Sequence, residues 1–458
     1  MVLVRGLVGN EKVHLLMRIE RPEIIVRIGL TGLVLVFLII AFRGARIIKD
    51  RPEPGSNPFA ACSVSDFDDY YQASQAFRTG GDPYRLQDLK ALLEFGQANS
   101  LEEASARMLE ILPRMRCVGK YLYPPFTAFV LQPLSVLTYK TAAAIFQLLS
   151  VLSLAGLIWI LFLSARNLTP VGSQASKTIC FNRLELPRKP VPLFLWSALP
   201  ALVLVLDFLQ SNTSNGNVGF IILLLTGVGL LLALHARLSF QILGGLLLGL
   251  AVALKVTPAF LGLVLLGRRR FISIGAMGAG LLLGLLLPAS SAGWEGNWVY
   301  LRQWYTLIVE SFQEIVFIRA WMNNQSIAGA IGKLFVPGSD VAQSRFGLPL
   351  FLPFTAGMSL VDLPGFYARV VSLINLLLYG LGLSAALSVA WRGFRSYGLR
   401  PEAECSSFAG VFASMAAPDT QRLLLLATMI GLLAAGVSWY HAYSVLFLPL
   451  VFRMYGYL

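Results

Sequence analysis

Charge is what this chain has least of. Only 13% of its 458 residues are Asp, Glu, Lys or Arg, against 56% hydrophobic, and the mean hydropathy is +0.68. A soluble domain cannot cover itself with so little charge, so the composition excludes one and predicts an all-α polytopic membrane protein. The four cysteines include no CxxC pair, which argues against a cysteine-held metal. No internal repeat is evident, whereas transporters tend to be built from repeated halves. The net charge of +13 does not make a nucleic-acid partner, because many of the basic residues sit in short loops between apolar runs, where they orient helices.

The apolar runs set the architecture. Candidate spans are 26–43, 141–164, 191–208, 217–235, 239–256, 271–290, 367–391, 421–437 and 440–456, with a short return at 257–267. Each full span needs about 20 apolar residues to cross a ~30 Å hydrocarbon core. Two runs broken by prolines, Pro124–Leu137 and Phe346–Leu360, are short enough to be re-entrant. Basic loops at 166–190, 235–238, 268–270 and 392–401 all fall on the cytoplasmic side only if those two runs do not cross. The first apolar run has no small-residue cleavage site after it, so a retained span and a cytoplasmic N-terminus are expected. The glycine-rich runs "GGLLLGLAVAL" and "GAMGAGLLLGLLL" read as faces for close helix packing.

Residues 1–458 are thus read as one integral membrane domain with two large outer loops, 44–123 and 291–345. In the first, Ser100 with Glu103 makes a capping box. Leu101, Ala104, Met108 and Ile111 recur at helical spacing, and "RLQDLKALLEF" is similarly amphipathic. Such helices either lie on the membrane surface or pack into a small subdomain. Cys62 and Cys117 share this loop, and an oxidising outer compartment would permit a disulfide that spacing alone does not establish.

Polar groups at the membrane are costly unless used, which makes them informative. Counting crossings puts Asp66, Asp68 and Asp69, the "YLYPP" stretch 121–125, Asn212, Asn215 and Asn217, Lys255, "NNQS" 323–326 and Trp439-Tyr440-His441 at one face. A carboxylate, a boundary cation, a histidine and amides together suit a lipid-linked anionic substrate. Group transfer needs a base for the acceptor hydroxyl and a cation for the departing phosphate, roles open to Asp66 and Lys255. Plainer readings stand beside these. Asp66 could be one solvated acid of three, Lys255 could snorkel, and His441 could belong to an interfacial aromatic belt. The three aspartates could also attract a cation such as Mg²⁺.

In order along the chain, "SDFDDYYQASQAFRTGGDPYRL", "YLYPPFTAFVLQPLSVL", "GLLLGLAVALKVTPAFLGLVLLGRRRF", "NNQSIAGAI" and "SWYHAYSVLFLPLV" resemble glycosyltransferase family 87, polyprenyl-phosphate-sugar-dependent enzymes of the GT-C superfamily. The resemblance implies a GT-C-type multi-span helical bundle whose first outer loop bears the catalytic acid. It matches Asp66 to that acid, Lys255 to the donor-phosphate lysine, and Tyr71, Tyr123, Asn324, Gln325 and His441 to substrate binding, with no metal ligand. Gly81, Pro83 and Tyr84 match the rest of the first motif, and the glycine and proline are expected to shape its turn.

Two positions depart from the family pattern. Gly216-Asn217-Val218-Gly219 stands where Gly-Gln-x-Asn is common, which puts the amide contacts there in question, and Ala442 follows His441 where a second histidine is frequent. The implied activity is inverting transfer of a sugar, mannose or arabinose, from a polyprenyl phosphate to a glycolipid or cell-envelope glycan. It needs no cofactor beyond the lipid-linked donor, and it takes place on the extracytoplasmic face of the plasma membrane. A transporter or flippase of lipid-linked saccharides, or a non-catalytic envelope-assembly subunit, are the rival classes.

Overall fold

A computed structural model of the 458-residue chain describes residues 22–49, 65–84, 121–166, 190–310, 326–335, 362–397, 407–434 and 440–455. In chain order the helices are α1 (Pro22–Lys49), α2 (Asp66–Thr79), α3 (Pro125–Leu131), α4 (Tyr139–Arg166), α5 (Pro190–Leu204), α6 (Leu206–Asn215), α7 (Gly219–Ala233), α8 (Leu238–Leu254), α9 (Gly262–Gly267), α10 (Phe271–Leu286), α11 (Ala289–Tyr305), α12 (Ile327–Phe335), α13 (Asp362–Tyr397), α14 (Phe408–Met415), α15 (Pro418–Leu433) and α16 (Phe447–Tyr455). The described residues form no strand, so the chain is an all-α membrane protein.

Three described helical stretches are apolar and long enough to cross a bilayer alone: Val26–Ala45, Tyr139–Arg166 and Ala368–Arg395. Two more candidates are bent pairs. α5 meets α6 at 62°, and α10 meets the segment Ala289–Ile308 at 89°. The spans expected at 191–208 and 271–290 are therefore broken where the sequence reads as continuous. Asn212 and Asn215 lie on the helix α6. The run Pro124–Leu137 is α3 followed by a 3₁₀ segment, Gln132–Val136. At about 1.5 Å per residue it is too short to span. The second proline-broken run, Phe346–Leu360, lies outside the described residues, as do the amphipathic segments 85–95 and 100–111, Cys62 and Cys117.

Glycine makes the tightest helix pair. A Cβ at Gly245, Gly249 or Gly280 would fall inside van der Waals contact with the backbone oxygens of Ser273, Met277 and Leu246 respectively. α8 and α10 thus touch backbone to backbone, as small-residue membrane interfaces do. One apolar core, including Leu154, Leu157, Phe194, Phe220, Leu230 and Phe452, fills the bundle. A second is built around α2 from Phe67, Tyr70, Tyr84, Tyr121, Phe126, Phe146 and Tyr300. This second core holds the polar cluster.

Candidate active site

α2 begins at the opening residue of the first motif for local reasons. Ser65 is its N-cap, with extended backbone and an Oγ that accepts the Asp68 N–H at 3.2 Å. Asp66, Asp68 and Asp69 occupy the first turn, where the helix dipole favours negative charge. The helix ends at Gly80, whose φ of 75° only glycine adopts at no cost. The left-handed turn therefore belongs to Gly80; Gly81 follows it and donates its N–H to Ala76 at 2.7 Å.

All three aspartates are buried: Asp66 is 7% exposed, Asp68 2% and Asp69 9%. The reading of Asp66 as a solvated loop acid is overturned by that burial, since a buried carboxylate must be paired or hydrogen-bonded. Among the described residues no three His, Cys, Asp or Glu side chains gather around one point.

The partner of Asp66 is Asn217. Its amide Nδ2 donates to Asp66 Oδ2 at 2.8 Å, to the Tyr123 hydroxyl at 2.8 Å and, more weakly, to the Tyr70 hydroxyl at 3.2 Å. Two N–H bonds are thus spread over three oxygens. Asn217 Oδ1 accepts the Gly219 N–H at 2.9 Å, closing a tight turn at the start of α7. Gly216 makes this possible: it caps α6 with φ 63°, and Asn217 N–H then reaches back to the Asn212 carbonyl at 2.9 Å. At the departure from Gly-Gln-x-Asn, Asn217 makes amide contacts of its own, to Asp66 and the two tyrosine hydroxyls. Asn212 is fully buried, its side-chain amide has no hydrogen-bond partner among the described residues, and it fills the space in which a side chain at Gly219 would stand.

Tyr123 joins the cluster from the "YLYPP" turn, which is tied at each residue. The Tyr121 hydroxyl donates to Pro124 O and accepts the Ala128 N–H. Trp304 Nε1 donates to Leu122 O at 3.3 Å, and the Tyr84 hydroxyl donates to Tyr123 O at 3.0 Å. Tyr123 meets the Tyr70 ring edge-on at 4.9 Å. Burial and the neighbouring Asp66 carboxylate push both hydroxyls well above the ordinary tyrosine range. Both therefore stay protonated and can donate.

Lys255 closes the arrangement from the other side. It is the C-cap of α8, with extended backbone, and its Nζ lies 5.5 Å from the Tyr123 ring centre. That is within reach of a cation–π contact. The ammonium is also close enough to feel the Asp66 charge. Thr127 Oγ1 donates to Leu254 O at 2.9 Å, which ties the residue before Lys255 to α3.

The structure brings Asp66, Tyr123 and Lys255 together. Tyr71 is placed elsewhere: its hydroxyl donates to Leu137 O at 2.6 Å and its ring packs on Tyr139 and Phe67. Tyr70, four residues after Asp66 and so on the same helix face, is the tyrosine that joins the cluster. That i, i+4 relation was the available signal. His441 falls in the 3₁₀ turn Tyr440–Leu446, with its side chain outside the described residues, and Asn324 and Gln325 lie outside them altogether. Ser326, next in that motif, is buried and accepts the Gly329 N–H at 3.0 Å.

The model of glycosyltransferase family 87 matches residues 121–418, well over half of the chain, and the chain belongs to that family. The matched stretch carries Tyr123, Asn217 and Lys255, while Asp66 precedes it. One curated relative is the polyprenol-phosphate-mannose-dependent alpha-(1-2)-phosphatidylinositol pentamannoside mannosyltransferase of Mycolicibacterium smegmatis. It is 24% identical over 338 residues, 73% of this chain. The match spans 61% of that relative's own length. No solved structure matches.

Proposed function

We propose that this protein is a glycosyltransferase that moves a sugar from a polyprenyl-phosphate carrier to a hydroxyl of a glycolipid or envelope glycan. The observation that carries the reading is the Asp66–Asn217–Tyr123–Lys255 cluster: a buried, hydrogen-bonded carboxylate facing a cation at the end of an apolar helix. Family membership and the mannose-dependent relative support it. Mannose is the first sugar to try, with arabinose second.

In this reading the acceptor oxygen attacks the anomeric carbon from the side opposite the phosphate, inverting its configuration. Its proton passes to the Asp66 carboxylate. The bond from the anomeric carbon to the phosphate oxygen breaks, the electron pair stays on the phosphate, and Lys255 offsets that charge. Asn217, itself bonded to the two tyrosine hydroxyls, holds Asp66 in place. A lipid monophosphate lacks the diphosphate that nucleotide sugars offer to a divalent ion, so no metal enters the scheme. The active site would face the extracytoplasmic side of the plasma membrane, where a lipid-linked donor and a glycolipid can meet.

The test is to offer purified protein a panel of polyprenyl-phosphate sugars, with nucleotide sugars as controls. Released polyprenyl phosphate and transferred sugar would be followed by mass spectrometry. Turnover with a lipid-linked donor alone supports the reading. Absence of turnover with every donor, for protein that remains folded, removes it in favour of a transport or assembly role.

A further inference from the structure

α11 leaves the apolar span α10 at close to a right angle, 89°. A span near the membrane normal therefore directs α11 along the membrane plane. The bend follows Pro288, and Gly293, with φ 72°, adds a kink inside α11.

The two faces of α11 differ in kind. Asn297, Tyr300 and, just beyond it, Leu307 are 2%, 7% and 1% exposed, at the 3- and 7-residue spacing of a buried stripe. This face is pinned by hydrogen bonds: Asn297 Nδ2 donates to Leu285 O, the Tyr300 hydroxyl to Gly81 O and Trp304 Nε1 to Leu122 O. The Tyr300 ring also packs on Phe77 of α2 at 5.0 Å. One flank of the exposed side shows Trp294 and Trp298, each 71% exposed, and the exposed Glu295 and Arg302 lie farther round from the buried stripe. Tryptophans at i and i+4 point the same way.

Two exposed indoles on one face are costly in water and at home at the headgroup level, where the ring is apolar and the N–H can be hydrated. Leu282, Leu283 and Leu286, in the last turns of α10 before the bend, are exposed as well, so apolar surface is presented on both sides of the bend. We propose that α11 is an interfacial anchor whose Trp294 and Trp298 rest in the headgroup–acyl boundary of the leaflet at the active-site end. By its bonds to Gly81 and Leu122, which flank α2 and Tyr123, the helix fixes the depth of the polar cluster relative to the bilayer. A lipid-borne substrate would meet the cluster at that depth. This inference rests on the membrane-spanning bundle and not on the proposed transfer chemistry.

The experiment uses full-length protein in phosphatidylcholine vesicles, with Trp294→Phe/Trp298→Phe as the comparison. These are two of the chain's eight tryptophans, and the difference between the two spectra isolates them. Phe keeps the apolar face, and circular dichroism confirms that the variant folds. The expected result is that lipid brominated near the carbonyl end of its chains removes most of the difference signal. Lipid brominated near the methyl end should remove less, and aqueous acrylamide little. Quenching by acrylamide alone would overturn the anchor. Stronger quenching near the methyl end would mean a re-entrant helix and overturn it too, and quenching by none of the three would mean that protein covers the face. No outcome depends on glycosyl transfer, so failure of the anchor and failure of the enzymatic reading are separable.

Discussion

The Asn217 amide donates to the Asp66 carboxylate at 2.8 Å across 151 positions of sequence. This bond joins the start of α2 to the turn between α6 and α7. It makes the orientation of the carboxylate depend on a residue remote in the chain.

Replacing Asn217 with Leu removes that donor and leaves Asp66 buried without it. A hydrogen bond to a charged group contributes about 1.5–3 kcal/mol, so kcat should fall roughly ten- to a hundred-fold. Steady-state kinetics at saturating lipid donor would check this. An unchanged kcat would mean that Asp66 does not need Asn217.

Asp66→Asn keeps the side-chain shape and removes the carboxylate proposed as base. The expected loss in kcat is about 10²–10⁴-fold, with helical content by circular dichroism unchanged because one N-terminal charge contributes only about 0.3–1 kcal/mol. If turnover persists, the base lies elsewhere.

Lys255→Met should cost about 10²-fold in turnover, as for loss of a charge-stabilising donor. Lys255→Arg should fall between the two, keeping the charge but not the compact ammonium that faces the Tyr123 ring. Comparing donors with better and worse leaving groups would place the effect. The Met variant should lose most with the poorest leaving group.

Gly219→Ala drives a methyl into the Asn212 amide and should destabilise the protein by about 1–3 kcal/mol through overpacking. Asn212→Ala/Gly219→Ala should recover stability, because the shorter side chain at 212 clears the space. Thermal unfolding in detergent reads both. Failure of the double variant to recover would show that the methyl is opposed by the Asn217 side chain rather than by Asn212.

Alkaline pH should weaken the fold. Tyr70 and Tyr123 are held protonated well above the ordinary tyrosine value of 10.0, while the unfolded chain ionises there. Above about pH 10 the native state then binds more protons than the unfolded state, and stability falls as pH rises. Tyr70→Phe/Tyr123→Phe should flatten that decline in melting temperature, and an unchanged slope would assign it to other tyrosines.

Much of this was readable from sequence, for identifiable reasons. Hydropathy and the order of short motifs carried the fold class and family. Asp66, Lys255 and Tyr123 stood out because polar groups beside apolar runs are rare. Tyr71 was preferred to Tyr70 by its place in a motif, although helical periodicity puts Tyr70 on the Asp66 face and Tyr71 beside Phe67. Asn217 was visible as one of three amides, but its reach depends on the left-handed Gly216. The breaks near Val205 and Pro288 were hidden because hydropathy runs on through both bends. A bend is a property of backbone angles, which an apolar composition does not record.

The hydroxyl of Thr127 takes up the Leu254 carbonyl, one of the last four in α8 that a helix leaves without an internal partner. This bond ties α3, which continues directly from the tyrosine-bearing turn, to the lysine-bearing end of α8. A thicker or thinner bilayer that tilts α8 would carry turn and lysine together. The spacing between the Tyr123 ring and the Lys255 ammonium is in this way held through changes in the membrane in which the protein works.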